Sequence, residues 1–310
     1  MKILVTGACG QLGYDVMNEA LSRGHACIGT DIVEKEKRSF FQKDSLASQG
    51  EYVTLDITDT TAVAKAIEEL QPDIVVHCAA WTAVDLAEDE ENYSKVFNIN
   101  EKGTENIALA CKKTKSKLIY ISTDYVFDGN GSQAWSVTDA CDPINIYGKS
   151  KRAGELAVIN NLEQYFIVRI SWVFGCNGKN FVKTMLSLGE KYDSLRVVND
   201  QIGSPTYTYD LAKLLIDMTE TDRYGVYHAT NEGDFISWYD FACKIFELSK
   251  MNVNVIPVTT EEYGVTKAKR PYNSRMDKTA LLQNGFKLLP SWEDALERYL
   301  ELIKNNNKNN

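Results

Sequence analysis

The chain has 310 residues, enough for two domains of ordinary size or for one large α/β domain with an appended lobe. Hydrophobic residues make up 44% and charged residues 25%, which excludes a disordered or fibrous chain. Lys+Arg 34 against Asp+Glu 43 leaves a net charge of -9, which argues against nucleic acid or an anionic membrane as a partner.

No apolar run approaches the roughly 18 residues of a membrane span. The opening Met1-Lys2-Ile3-Leu4-Val5-Thr6-Gly7 reaches glycine too early for a signal-peptide core, so a cytoplasmic location is expected. The seven cysteines, at 9, 27, 78, 111, 141, 176 and 243, contain no C-x-x-C pair and suit reduced thiols better than disulfides or zinc. His25, His77 and His228 are widely spaced and read as structural or surface residues, and no metal is expected.

In chain order, apolar runs at 2–6, 26–30, 52–55, 74–78, 117–122 and 166–170 read as strands. Between them, amphipathic stretches at 12–23, 60–70, 93–114 and 148–161 read as helices. The alternation predicts an α/β fold of Rossmann type, a doubly wound parallel sheet, over residues 1–171. Beyond it the pattern turns irregular, with turn clusters at 175–179 and 199–205 and helical stretches at 209–218, 238–249 and 292–303. This predicts a smaller C-terminal substrate-binding lobe over 172–304. The polar end, 305–310, reads as a frayed tail.

The first strand runs into Gly7-Ala8-Cys9-Gly10-Gln11-Leu12-Gly13, a glycine turn that opens a helix. Such a turn lets backbone approach a pyrophosphate and meets its charge with free N–H groups, which assigns Gly7, Gly10, Gln11 and Leu12 to a dinucleotide. Asp31, closing the second strand, is placed to hydrogen-bond the adenosine ribose and to repel a 2′-phosphate, so NADH is favoured over NADPH. Lys35, Lys37 and Arg38 follow closely enough to keep NADPH open. Asp56 and Ile57 after the third strand, and Ala79 and Ala80 after the fourth, fall at the strand ends where open α/β sheets bind ligands.

The fifth strand ends in Ser122-Thr123-Asp124-Tyr125-Val126-Phe127-Asp128-Gly129, and Tyr147-Gly148-Lys149-Ser150-Lys151 follows. Tyr147 and Lys151 are four apart, so a helix puts them on one face, and the cation favours the ionised phenol. A free tyrosine, with a pKa near ~10, exchanges protons too reluctantly at neutral pH without that help. Thr123 offers a hydroxyl to hold a substrate carbonyl, to whose oxygen Tyr147 donates a proton as hydride reaches the carbon. Thr123, Tyr147 and Lys151 are therefore the expected catalytic residues, with Tyr147 and Lys151 also touching the cofactor.

These features together resemble the extended short-chain dehydrogenase/reductase superfamily. More narrowly, the 122–129 segment, Ser171-Trp172-Val173-Phe174-Gly175, Asp200-Gln201-Ile202-Gly203-Ser204-Pro205-Thr206 and Arg270-Pro271-Tyr272-Asn273-Ser274-Arg275 resemble the dTDP-4-dehydrorhamnose reductase family over nearly the whole chain. The resemblance implies NAD(P)H-dependent reduction of the 4-keto group of a dTDP-keto-deoxysugar, dTDP-4-dehydro-β-L-rhamnose, for bacterial cell-surface polysaccharide. It implies substrate contacts from Asp124 and Tyr125, Trp172 along the sugar, Asn180 near the substrate phosphates and Arg275 on the nucleotide. Cys9 and the long 34–50 loop depart from the family pattern. Some members dimerise through a metal held by acidic residues; Asp15 matches one such ligand and no others can be placed, so a homodimer stays open without a metal being expected. A related dehydratase would carry Thr-Asp-Glu where this chain has Thr123-Asp124-Tyr125. The remaining alternatives are another sugar-nucleotide reductase or epimerase, and a non-catalytic dinucleotide-binding subunit similar to the methionine adenosyltransferase β subunit.

Overall fold

A computed structural model describes the chain except Phe41, Val265 and Asn310, and of 307–309 the backbone alone. Seven strands form the central sheet: β1 (Lys2–Thr6), β2 (Ala26–Asp31), β3 (Glu51–Thr54), β4 (Ile74–His77), β5 (Lys117–Thr123), β6 (Tyr165–Ile170) and β7 (Gly225–His228). Their order is β7-β6-β5-β4-β1-β2-β3, and every neighbouring pair is parallel. The chain therefore winds outward in both directions from β1 and β4, which opens a crevice at their C-terminal ends.

Strand periodicity explains the two faces. Ile3 and Val5 point into one core and Leu4 into the other, and both cores are sealed from water. Parallel strands covered on both faces read as continuous apolar runs, which is why the sequence marks them so clearly. Helices Gln11–Ser22 and Thr208–Thr219 cover the first face. Helices Thr60–Leu70, Thr104–Thr114 and Ile146–Asn161 cover the second. Two of these helices start on side-chain caps: for Thr60–Leu70, Asp59 accepts from the Ala62 N–H at 2.9 Å, and for Ile146–Asn161, Asn145 accepts from the Gly148 N–H at 2.7 Å.

A third core, built around Phe174, Val182, Phe241, Ile245, Trp292 and Tyr299, belongs to the C-terminal part of the chain. There the strands Ser194–Val198 and Asn254–Val258 pair in parallel.

Three expectations change. The sheet does not end at residue 171, because β7 and the helix Thr208–Thr219 come from beyond that point and complete it. The stretch read as one helix over 93–114 contains a π-helical turn, Asn98–Gly103, between Glu90–Phe97 and Thr104–Thr114. That turn carries Asn100 inward, where its amide bonds the Trp81 N–H at 2.8 Å and the Ser150 hydroxyl at 2.9 Å. Finally, the last helix, Trp292–Asn309, runs on through 305–309, the stretch read as a tail, while Asn310 lies outside the described residues. Among the described residues no helix is long and apolar enough to cross a membrane.

Candidate active site

β1 delivers the glycine turn to the crevice. Gly7 has φ +68°, and a Cβ there would sit 2.6 Å from the Ala79 nitrogen; a Cβ on Gly13 would lie 2.1 Å from the Gly7 carbonyl oxygen. Only glycine fits either position, and the small Ala79 complements it after β4. The turn is braced from β2, since Asp31 Oδ2 accepts the Cys9 N–H at 3.0 Å. Cys9 is thus accommodated through its backbone. The 34–50 loop packs back through Arg38, whose guanidinium lies 4.5 Å from the Tyr52 ring centroid, and through Phe40, which stacks on Tyr14.

One cavity of about 670 Å³ runs along this edge. At one end it is lined by Gly7, Gly10, Gln11, Leu12 and Asp31; Asp56, Ile57, Ala79 and Ala80 form its flank. At the other end stand Thr123, Asp124, Tyr125, Tyr147, Lys151 and Trp172. Residues separated by more than a hundred positions are brought together because β1, β4, β5 and β6 all end on this edge.

Thr123 closes β5. Its hydroxyl donates to Asp124 Oδ1 at 2.9 Å and accepts the Tyr125 N–H at 3.2 Å. Burial pushes the Asp124 carboxyl up to about 6, against the hydrogen bonds of Ser274 and Thr123. Tyr147 lies in the first turn of the helix capped by Asn145, with the Tyr125 ring edge-on at 5.5 Å.

One turn further, Lys151 Nζ donates to the Ile121 carbonyl at 2.6 Å and stands 4.1 Å from the Tyr120 ring centroid. Burial pushes this ammonium down to about 7, while Glu155, a further turn along, favours its charge. In the chain alone the Tyr147 phenol lies above its ordinary value. Burial raises the phenol, Asp124 raises it further, and only the Thr123 hydroxyl works the other way. One of the three N–H donors of the Lys151 ammonium is taken by the Ile121 carbonyl.

Trp172 follows β6 with φ +50°, an unusual conformation for a bulky residue, and stacks on Trp238 with centroids 3.7 Å apart and planes 14° apart. Two expected substrate residues do not line the cavity. Asn180 caps the helix Phe181–Gly189: its Oδ1 accepts the Lys183 N–H at 3.0 Å, and its amide donates to Gln11 Oε1 and the Gly175 carbonyl. Arg275 turns its guanidinium to Asn273 Oδ1 at 3.0 Å.

Asp15 is buried and accepts a hydrogen bond from Thr208; burial pushes its carboxyl up to about 7, so it faces the interior rather than a partner. Sequence reasoning missed Thr82, Val84 and Lys179, which also line the cavity. Thr82 and Val84 sit in the loop after β4 that Arg270 fastens through Asp85 at 2.7 Å, a pairing across 185 positions without local signal.

A profile of the RmlD substrate binding domain family matches residues 1–305. The chain belongs to this family. It is similar to the spore coat polysaccharide biosynthesis protein SpsK of Bacillus subtilis (strain 168), with 40% identity over 300 residues, 97% of each chain. It is also similar to the dTDP-4-dehydrorhamnose reductase of Aggregatibacter actinomycetemcomitans, with 38% identity over 96% of this chain and 97% of that one. Among solved structures, a dTDP-4-dehydrorhamnose reductase from Bacillus anthracis str. Ames in complex with NADP matches with a TM-score of 0.82 and 40% identity, covering 97% of this chain and 99% of that chain.

Proposed function

We propose that the protein reduces the 4-keto group of dTDP-4-dehydro-β-L-rhamnose to dTDP-β-L-rhamnose, with NAD(P)H as reductant, in the cytoplasm. The observation that carries this reading is a single cavity joining the glycine turn to Thr123, Tyr147 and Lys151. The residues fit a dinucleotide. The turn closes so tightly that side chains are excluded at Gly7 and Gly13, which leaves backbone N–H groups to face a diphosphate, and Asp31 stands at the end of β2 for a ribose. When bound, the reduced dinucleotide supplies the hydride.

The chain's own groups do the rest. Tyr147 is held protonated by its burial, which suits a residue that gives a proton to the substrate oxygen in the reducing direction. The Thr123 hydroxyl orients that oxygen, Asp124 and Tyr125 face the sugar, and the Trp172 indole gives a flat wall for a deoxysugar ring. Lys151 supplies positive charge beside the nicotinamide end. NADH is favoured, because Asp31 opposes a 2′-phosphate and Lys37 is paired with Glu34 at 2.7 Å.

The test is oxidation of NADH or NADPH by purified protein with and without the dTDP-keto sugar. Sugar-dependent oxidation with dTDP-rhamnose as product is expected. Interconversion of sugars without net dinucleotide consumption would make the protein an epimerase, and binding without turnover would make it a regulatory subunit.

A further inference from the structure

The segment 176–180 lies across the glycine turn. Asn177 Nδ2 donates to the Cys9 carbonyl at 2.6 Å, and Asn180 Nδ2 donates to Gln11 Oε1 at 3.0 Å. Gly178 is close enough that an added Cβ would touch Gln11 Cγ at 3.3 Å. From behind, Lys183 Nζ holds the carbonyls of Cys176 and Gly178, the latter at 2.8 Å. A piece of the C-terminal part of the chain is thus fixed to the residues whose N–H groups face a dinucleotide's diphosphate, and Gly178 and Lys179 form cavity wall at that place.

The charges that line the cavity are otherwise Asp31, Asp56, Asp124 and Lys151. Lys151 is committed to the catalytic end, where it bonds the Ile121 carbonyl. A diphosphate entering along the glycine turn would therefore meet neutral N–H donors with two carboxylates nearby. Lys179 is exposed, and among the described residues its ammonium makes no ion pair or hydrogen bond. A cation without a partner, on a segment anchored to Cys9 and Gln11, is suited to that anion.

We propose that 176–180 is the second wall of the dinucleotide's diphosphate site and that Lys179 is its cation. This rests on the dinucleotide reading above. The sugar nucleotide also carries a diphosphate, but the anchoring of 176–180 to the glycine turn assigns Lys179 to the dinucleotide. Cofactor binding then ties the C-terminal part of the chain to the sheet.

The experiment is calorimetric titration of the full chain and of Lys179→Gln and Lys179→Arg with NADPH, ADP-ribose and dTDP. Lys179→Gln should weaken both NADPH and ADP-ribose about tenfold, a typical effect of one lost charge-assisted contact, with the deficit shrinking as salt rises. Lys179→Arg should retain most of the affinity, and dTDP should bind all three proteins alike. Equal affinity of the wild-type chain and Lys179→Gln for ADP-ribose overturns the assignment, as does a loss that appears with dTDP. Failure of the wild-type chain to bind either NADPH or ADP-ribose overturns the dinucleotide reading along with it.

Discussion

Tyr147 and Lys151 share a helix face, yet the structure gives them different neighbours: the phenol is buried beside Thr123 and Asp124, and the ammonium bonds a backbone carbonyl. In the proposed reaction, removing the phenolic hydroxyl takes away the proton donor without touching the glycine turn. Tyr147→Phe should lower kcat by at least ~10²-fold while the Kd for NADPH stays within about twofold, measured by steady-state kinetics and calorimetry. Lys151→Met should damage both quantities, since it removes a charge from the nicotinamide end. Asp31 braces Cys9 and, in the proposed site, also faces the ribose. Asp31→Ala should raise the ratio of kcat/KM for NADPH over NADH by relieving the repulsion of a 2′-phosphate. A ratio that does not move assigns cofactor choice to the 34–50 loop, where Arg38 lies against Tyr52.

At the level of elements, the glycine turn tolerates little change. A Cβ on Gly13 would meet the Gly7 carbonyl oxygen at 2.1 Å, so Gly13→Ala must move either the helix Gln11–Ser22 or the turn itself. The expected outcome is loss of measurable NADPH binding together with a lower Tm, read by calorimetry and thermal melting. This same strictness made the turn legible in the sequence: a backbone that excludes side chains leaves glycines at fixed spacing, and strands buried on both faces leave apolar runs. β7 was missed because four residues, Gly225–His228, are too few to show a period, and their place in the sheet depends on β6, far away in sequence. The fates of Asn180 and Arg275 were hidden for a similar reason. An amide reads the same whether it meets a ligand or caps a helix, and only the fold brings Gln11 to Asn180 across 169 positions. Trp172 was readable as an aromatic at a strand end, whereas its stack on Trp238, which supports its left-handed backbone, was not.

Across the whole molecule, polar contacts join the helices on the first face of the sheet to one another and to the C-terminal core. Asp15 accepts from Thr208, and Arg298 grips Asp210 with two hydrogen bonds of 2.9 and 2.7 Å. Buried titratable groups make such an assembly sensitive to pH, and His77 at the end of β4 gives the clearest case. Its ring is enclosed, with Nδ1 2.6 Å from the Thr6 hydroxyl and Nε2 3.1 Å from the Thr104 hydroxyl. Burial, with Lys151 adding like-charge repulsion, pushes it down to about 3. The unfolded chain takes up a proton at this residue near pH ~6.5, so between that value and the folded one the unfolded state binds more protons. The stability contributed by neutral His77 is therefore fully present above about pH 6.5 and is lost as pH falls. Asp15 and Asp124, whose raised values act in the opposite direction, are shared by the wild-type chain and a His77→Asn variant and cancel in the difference. Denaturant unfolding of both proteins should show the wild-type advantage shrinking by roughly 1.4 kcal/mol per pH unit from about pH 6 to about pH 4. A constant difference across that range would mean that His77 takes up its proton in the folded protein as readily as in the unfolded chain, and that burial does not hold it neutral.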